Sequence, residues 1–300
     1  MKILLFGSQG QLGQALTQAL NDVHDLHLSF RADCNLTFTS QIETLIDRVK
    51  PDLIINAAAY TNVDLAENNY DEAFLINTKA PEMMARKASI LNIPLIHFST
   101  DYVFDGLKED AYNETDRTSP QSYYAKTKLM GEEVIRSNLT RHLIIRTSWL
   151  YGNNNQNFVY KIIHPLIQEK NFGVVNDAWG SPTSASFIAR SILKMIPDLR
   201  DELYGTYHLA NLGYCTRFEF ASFIERELIQ LGEIKMAEKG HIHPIFSKDY
   251  ASNAKRPLHA LLDTTKIKNS FMLEFVSWQD ELKHFLNDAL TRKYINDAKT

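Results

Sequence analysis

A short apolar run at the amino terminus, Lys2-Ile-Leu-Leu-Phe6, stops at a glycine turn, Gly7-Ser-Gln-Gly10-Gln-Leu-Gly13. The run reads as a parallel strand buried on both faces. Leu12, Leu16 and Leu20 follow at helical spacing. Strand, glycine turn and helix in this order predict a dinucleotide site. The glycines allow a tight turn and a close approach of backbone to pyrophosphate. The helix start offers free N–H groups and the positive end of its dipole. The spacing here is Gly-x-x-Gly-x-x-Gly, and the competing reading is a turn kept for packing alone.

The rest of the first half repeats the alternation. Apolar strands are expected at His27–Ser29, Asp52–Asn56, Pro94–Ser99 and Leu143–Thr147. Helices are expected at Ser40–Lys50, Asp71–Leu91 and Tyr124–Arg136. Such alternation predicts an α/β fold, a Rossmann-type doubly wound parallel sheet. The second half is less regular. Helices are expected at Phe158–Gln168, Ala185–Met195, Phe218–Leu231 and Trp278–Leu290, with strands at Phe172–Asn176 and Tyr204–Leu209. Residues 1–150 are assigned mainly to the dinucleotide-binding domain. Residues 151–300 are assigned mainly to a smaller α/β substrate lobe, some segments of which return to the first domain.

Tyr124 and Lys128 lie four apart in a predicted helix, so phenol and ammonium share one face. The cation is expected to favour phenolate and lower the tyrosine pKa. Such a phenol exchanges a proton with a substrate oxygen. Ser99-Thr100-Asp101 ends a predicted strand upstream, at the sheet's carboxyl edge. Ligands of open α/β sheets bind there.

Composition narrows the alternatives. A formal net charge of -4 and no long basic run give no electrostatic reason to expect nucleic acid. No apolar stretch is long enough to span a membrane, and MKILLFGSQG turns polar too soon for a signal peptide. Cys34 and Cys215 offer neither a disulfide framework nor a metal spacing. A cytoplasmic protein is expected. His241 and His243 have strand spacing but no companion ligands, and read as solvated loop residues. His97 and His208 read as satisfied core histidines, and Asp64 and Glu67 as residues at a helix start.

The strings Asn56-Ala-Ala-Ala-Tyr-Thr-Asn-Val-Asp64, Phe98-Ser-Thr-Asp-Tyr-Val-Phe-Asp-Gly106, Tyr124-Ala-Lys-Thr-Lys-Leu-Met-Gly-Glu132 and Arg146-Thr-Ser-Trp-Leu-Tyr-Gly152 add a resemblance. Together with the glycine turn they resemble the extended short-chain dehydrogenase/reductase family, over residue 1 to about residue 290. The resemblance implies NAD(P)H-dependent reduction of the C4 keto group of a dTDP-6-deoxy-4-hexulose to dTDP-L-rhamnose. It implies Tyr124 as proton donor, Lys128 as the group that lowers its pKa and holds the nicotinamide ribose, and Thr100 as a hydrogen-bond partner of the keto oxygen. Cofactor contacts are implied for Gly7, Gly10, Gln11, Leu12, Gly13, Arg31, Asn35, Leu36, Ala57, Ala58, Ala59 and Thr61. Sugar contacts are implied for Val63, Asp101, Tyr102 and Trp149. Trp149 and Tyr102 also fit a packing role. Arg256-Pro257 fits either a diphosphate site or a structural turn.

No acid closes the second strand, where NAD-selective sites often carry one. Phe30-Arg31 stands there, and Arg31 suits a 2′-phosphate. NADPH is therefore expected, with NADH as the alternative. Some relatives dimerise around magnesium held by glutamates. Ala15 stands where one of these would sit, so no metal site is carried over, and monomer and homodimer both stay open. Two other functions fit the fold: a nucleotide-sugar epimerase or dehydratase, and an NADP-binding regulatory subunit of the methionine adenosyltransferase type.

Overall fold

In the computed structural model of the protein, the structure describes residues 1–153, 157–235 and 240–299. The first half runs β1 (Lys2–Phe6), α1 (Gln11–Leu20), β2 (Asp25–Ser29), α2 (Thr39–Val49), β3 (Leu53–Asn56), α3 (Val63–Ala66), α4 (Tyr70–Phe74), a π-helical turn (Leu75–Lys79), α5 (Ala80–Leu91), β4 (Leu95–Thr100), α6 (Tyr123–Asn138) and β5 (His142–Thr147). The second half adds β6 (Leu150–Tyr151), α7 (Phe158–Ile167), β7 (Phe172–Val175), β8 (Trp179–Gly180), β9 (Thr183–Ser184), α8 (Ala185–Met195), β10 (Gly205–His208), β11 (Cys215–Thr216), α9 (Arg217–Gln230), β12 (Ile242–Ile245), α10 (Thr265–Phe271), α11 (Trp278–Asn287) and α12 (Ala289–Lys299).

Among the described residues the main sheet has six strands in the order β10-β5-β4-β3-β1-β2. All its pairings are parallel. Side chains alternate across the strands. Ile3 and Leu5 therefore face α1, α8 and α10 (Leu16, Ile188, Ile267). Leu4 and Phe6 face α2, α5 and α6 (Ile42, Met84, Ile135). A separate core joins α7, α9 and α11 around Tyr151, Phe220 and Trp278.

The register decides what meets at the carboxyl edge. Phe6 lies opposite Asn56, Asn56 opposite His97, and Thr100 opposite Thr147. One step back, Ser99 lies opposite Arg146, and Arg146 opposite His208. Polar residues thus form a row across the strand ends, above an apolar sheet.

Two expected helices differ. The segment expected as one helix from Asp71 to Leu91 contains the π turn. There Asn77 Oδ1 accepts Tyr60 N–H at 2.9 Å, while its Nδ2 donates to Tyr60 O and Thr127 Oγ1, both at 3.2 Å. The wider turn lets one side chain satisfy a loop's backbone and α6 together, a use typical of π turns near functional sites. The segment expected from Trp278 to Leu290 breaks at Asp288. This residue is extended (ψ 141°), and its carbonyl accepts Arg292 N–H at the start of the next helix. His243 also differs, since it lies in β12, paired with Gly173 of β7, while His241 precedes that strand and is exposed as expected.

Gly131 lies inside α6, and a Cβ there would come 2.2 Å from the Asn77 carbonyl oxygen. Helix propensity alone favours alanine at this site by about 1 kcal/mol. The clash is with backbone, which cannot rotate away, and overpacking of this kind costs about 1–3 kcal/mol. Gly131→Ala is therefore expected to lower the urea midpoint. A raised midpoint would show that the π turn yields freely.

Candidate active site

The glycine turn forms a cradle with no room for side chains. Gly7 has φ +78°, and a Cβ on it would sit 2.5 Å from Ala58 N. A Cβ on Gly13 would sit 2.0 Å from Gly7 O. Gly10 caps α1 without a side-chain hydrogen bond, so the first N–H groups of the helix have no side chain closing over them. These features fit a pyrophosphate held by backbone and helix dipole. Leu12 is buried in the core, and Leu36 is partly buried against the helix-packed sheet face. Any contact they make with a cofactor would come from backbone.

Gln11 Nε2 donates to Leu150 O at 3.3 Å, and Asn157 Nδ2 donates to Gln11 Oε1 at 3.4 Å. That side chain ties the cradle to the second-half core. Asn35 Oδ1 is taken by Thr37 N–H and Oγ1–H at 3.1 and 3.0 Å, which closes a local turn. The Arg31 side chain is 80% exposed and lies 3.9 Å from Glu72.

The Ala57–Thr61 loop leaves β3 beside the cradle. Ala58 N–H donates to Asn56 Oδ1, and Tyr60 is pinned by Asn77. Val63 opens α3. Its neighbour Asp64 does more than decorate the helix start. Asp64 Oδ1 accepts Ser252 Oγ–H, Asn253 N–H and Ala254 N–H, and Oδ2 accepts Arg256 Nη2 at 2.5 Å. Arg256 is thus part of a clamp that closes the 252–256 loop over α3. Glu67 caps a different helix from its own, accepting Tyr123 N–H at the start of α6.

Thr100, Asp101, Tyr102 and Tyr124 meet at the edge of β4. Thr100 Oγ1 donates to Asp101 Oδ1 at 2.9 Å and accepts Tyr102 N–H at 3.2 Å. Its proton is already placed on a carboxylate. Ser148 Oγ donates to Asp101 Oδ2 at 3.1 Å. Burial pushes the Asp101 carboxyl up to about 6, against those two hydroxyls and the Arg217 charge. The Tyr102 and Tyr124 rings stand edge to face, 6.1 Å apart. Trp149 adopts a left-handed backbone (φ +44°), and the Arg217 guanidinium stacks 3.5 Å above its ring. A Cβ on Gly180 would meet Trp149 Cε2 at 2.2 Å, so glycine there makes room for the indole.

The tyrosine–lysine pair departs from expectation. Burial raises the Tyr124 phenol well above its ordinary value, with the Thr100 hydroxyl beside it. Lys128 is not the group that acts on it. Lys128 Nζ is buried beneath the helix, 2.6 Å from Phe98 O and 3.2 Å from His97 Nε2. Burial brings Lys128 down to about 8, against the Glu132 charge. Four-residue spacing shows that two side chains share a face. It does not show whether a long flexible one turns along the helix or down into the sheet.

Several residues gained no role from spacing alone. Glu132 is fully buried and accepts Arg146 Nε at 2.9 Å, Arg146 Nη2 at 2.7 Å, Arg136 Nη1 at 3.0 Å and Ser99 Oγ at 2.6 Å. Burial would raise this carboxyl, but its donors hold it below its ordinary value. Glu132 lies four residues beyond Lys128, a signal available in the sequence. Arg146 sits in an apolar strand pattern, and only register places it against Ser99. Arg217 begins a helix far along the chain, and nothing local marks it as a cleft residue. His97 and His208 are buried and partnered, as expected of core histidines.

With this geometry in place, the chain can be set beside known proteins. A family described as RmlD substrate binding domain matches residues 1–291. The dTDP-4-dehydrorhamnose reductase of Sinorhizobium fredii is 34% identical over 291 residues, 95% of this chain and 97% of that protein. This chain belongs to the dTDP-4-dehydrorhamnose reductase family. The Escherichia coli K12 member is 33% identical over 298 residues, 97% of this chain and 99% of that one. A solved member from Clostridium acetobutylicum superposes with a TM-score of 0.87 at 32% identity, covering 96% and 99% of the two chains. The Bacillus anthracis member, solved in complex with NADP, gives 0.87 at 31% identity, covering 95% and 98%.

The buried histidines set an acid limit. Burial, with nearby arginines, brings His208 down to about 3 and lowers His142, and burial beside Lys128 lowers His97 as well. Their stabilising effect is full above the unfolded value near 6.5 and is lost as pH falls below it. Each contributes up to about 1.4 kcal/mol per pH unit. Burial raises Asp101 and Glu114, which act in the opposite sense between their ordinary and folded values. The histidines act first on acidification, and outnumber them. The thermal midpoint is expected to fall between pH 7.5 and pH 5.5, and a flat profile would contradict the buried neutral assignment.

Proposed function

We propose that the protein reduces the C4 keto group of a dTDP-linked 6-deoxy-4-hexulose to give dTDP-L-rhamnose, with NADPH as the reductant. The observation that carries this reading is the meeting of Thr100, Asp101 and Tyr124 at the strand edge that also carries the glycine cradle. The fit of the cradle to pyrophosphate and the NADP held by the Bacillus anthracis relative support the cofactor. When bound, the nicotinamide supplies hydride to the carbonyl carbon.

The chain's own residues handle the oxygen. Hydride delivery builds negative charge there, and a donor aimed at that point stabilises the transition state. Tyr124 fits the donor role because burial keeps its phenol protonated at neutral pH. Thr100 is the next hydroxyl behind it, already oriented by Asp101. Lys128, turned beneath the helix to Phe98 O, is assigned to the cofactor side rather than to the phenol. Trp149, with Arg217 covering its ring, and Tyr102 are assigned to the sugar side. The lobe around Tyr151 and Trp278 supports them.

The test is NADPH oxidation with dTDP-4-keto-6-deoxy-L-mannose, comparing wild type with Tyr124→Phe. The variant keeps the ring and loses the proton. A rate loss of about 10²–10⁴ is expected, the usual worth of a positioned acid, with an unchanged thermal midpoint. An undiminished rate removes Tyr124 from the reaction, and no NADPH consumption by wild type removes the proposed activity.

A further inference from the structure

Three buried side chains behind the carboxyl edge of the sheet form a chain whose hydrogens can be placed by counting. Asn56 is 1% exposed, His97 0% and Lys128 2%. Ala58 N–H donates to Asn56 Oδ1 at 3.1 Å. A backbone N–H can only donate, so this contact fixes which end of the amide is oxygen. The other end, Nδ2, lies 3.0 Å from His97 Nδ1. An amide nitrogen also only donates, so Nδ1 accepts and carries no hydrogen. A neutral imidazole keeps one N–H, which must then be on Nε2. That nitrogen lies 3.2 Å from Lys128 Nζ. An ammonium there would set N–H against N–H, whereas an amine offers its lone pair. The amine accepts one bond from His97, donates one to Phe98 O at 2.6 Å, and keeps one N–H.

We propose that His97 is a positioning residue: oriented by Asn56, its tautomer follows the charge of Lys128 and couples that charge to the backbone of the cofactor loop. The coupling follows from the same count. When one proton is added at Nζ, Nε2 must become an acceptor, and the imidazole keeps its single hydrogen but moves it to Nδ1. Asn56 must then turn its oxygen toward His97, which takes that oxygen from Ala58 N–H. Ala58 is the residue against which Gly7 packs. The charge of Lys128 and the seat of the cradle are therefore one two-state element.

Burial acts in the same direction, lowering both His97 and Lys128. The charged group acting on Lys128 is Glu132, already bonded to Arg146, Arg136 and Ser99. Tyr124 stands one turn away on the same helix, and the charge acting on His97 is Lys128 itself. The functional meaning of the coupling rests on the reading of Lys128 as a cofactor-side residue. The tautomer does not, because it is measured without sugar and without turnover.

The test uses the full chain labelled with nitrogen-15 histidine and with carbon-13 at lysine Cε. The His97 signals are assigned by their loss in His97→Gln. At pH 9, Nε2 is expected to carry the hydrogen and Nδ1 to be bare. The two are expected to exchange at the same pH midpoint at which Lys128 titrates. An Nδ1–H form at pH 9, or a tautomer that stays fixed while Lys128 titrates, overturns the proposal. His97→Gln offers an oxygen acceptor to Nζ and is expected to raise the Lys128 midpoint by about one pH unit, a tenfold gain in proton affinity. An unchanged midpoint in the folded variant would mean that burial alone sets the lysine. If that variant does not fold, the wild-type tautomer still decides.

Discussion

The Glu132 carboxylate, buried against the Arg146 guanidinium, is the contact on which the site depends. Helix α6 carries Tyr124, Lys128 and Glu132 along one face. Glu132 fastens that face to β5 through Arg146 and to β4 through Ser99. A pair of this kind adds little net stability compared with an apolar substitute, but removing one partner strands a charge. Its value here is geometric. It fixes the rotation of α6 about its axis and so the direction in which the Tyr124 hydroxyl points. Asn77 and Thr78 hold the same helix from the other side through Thr127. The tyrosine is thus set by polar contacts on two sides, over a sheet that is otherwise apolar.

Much of this was legible in the sequence, for reasons that can be stated. Buried parallel strands such as Leu53–Asn56 and Leu95–Thr100 open on apolar residues and turn polar only toward the carboxyl edge. Glycines at 7 and 13 are demanded by backbone that approaches within contact. Pattern of this sort is local, and local pattern survives folding. What escaped was non-local. Arg217 reaches Trp149 only because α9 folds back over β6, and Asp64 finds Arg256 across most of the chain. The π turn was invisible because the contacts made there, Asn77 with Tyr60 and Thr127, join residues far apart in the sequence. The direction of Lys128 was misread because spacing reports a face and not a rotamer.

The rival readings meet particular residues. A dehydratase or epimerase needs further acid–base groups beside Thr100. The residue after Asp101 is Tyr102, whose hydroxyl is engaged by Arg217. A purely regulatory protein has no need of a buried phenol beside a threonine that is itself oriented by a carboxyl group, and that arrangement is intact here. Both features favour reduction, with the oxygen of the sugar as the point of attack.

Strand β10 joins the sheet from far along the chain, pairing Tyr207 with Ile145. Until residues 205–208 have been synthesised, β5 is an open edge of fully buried-type residues, Leu143, Ile144 and Ile145. A nascent polypeptide emerging from the ribosome therefore carries a sticky, unpaired border for the whole time the intervening segment is made. A break in translation before β10 would leave that border uncovered, an edge of the kind that promotes self-association.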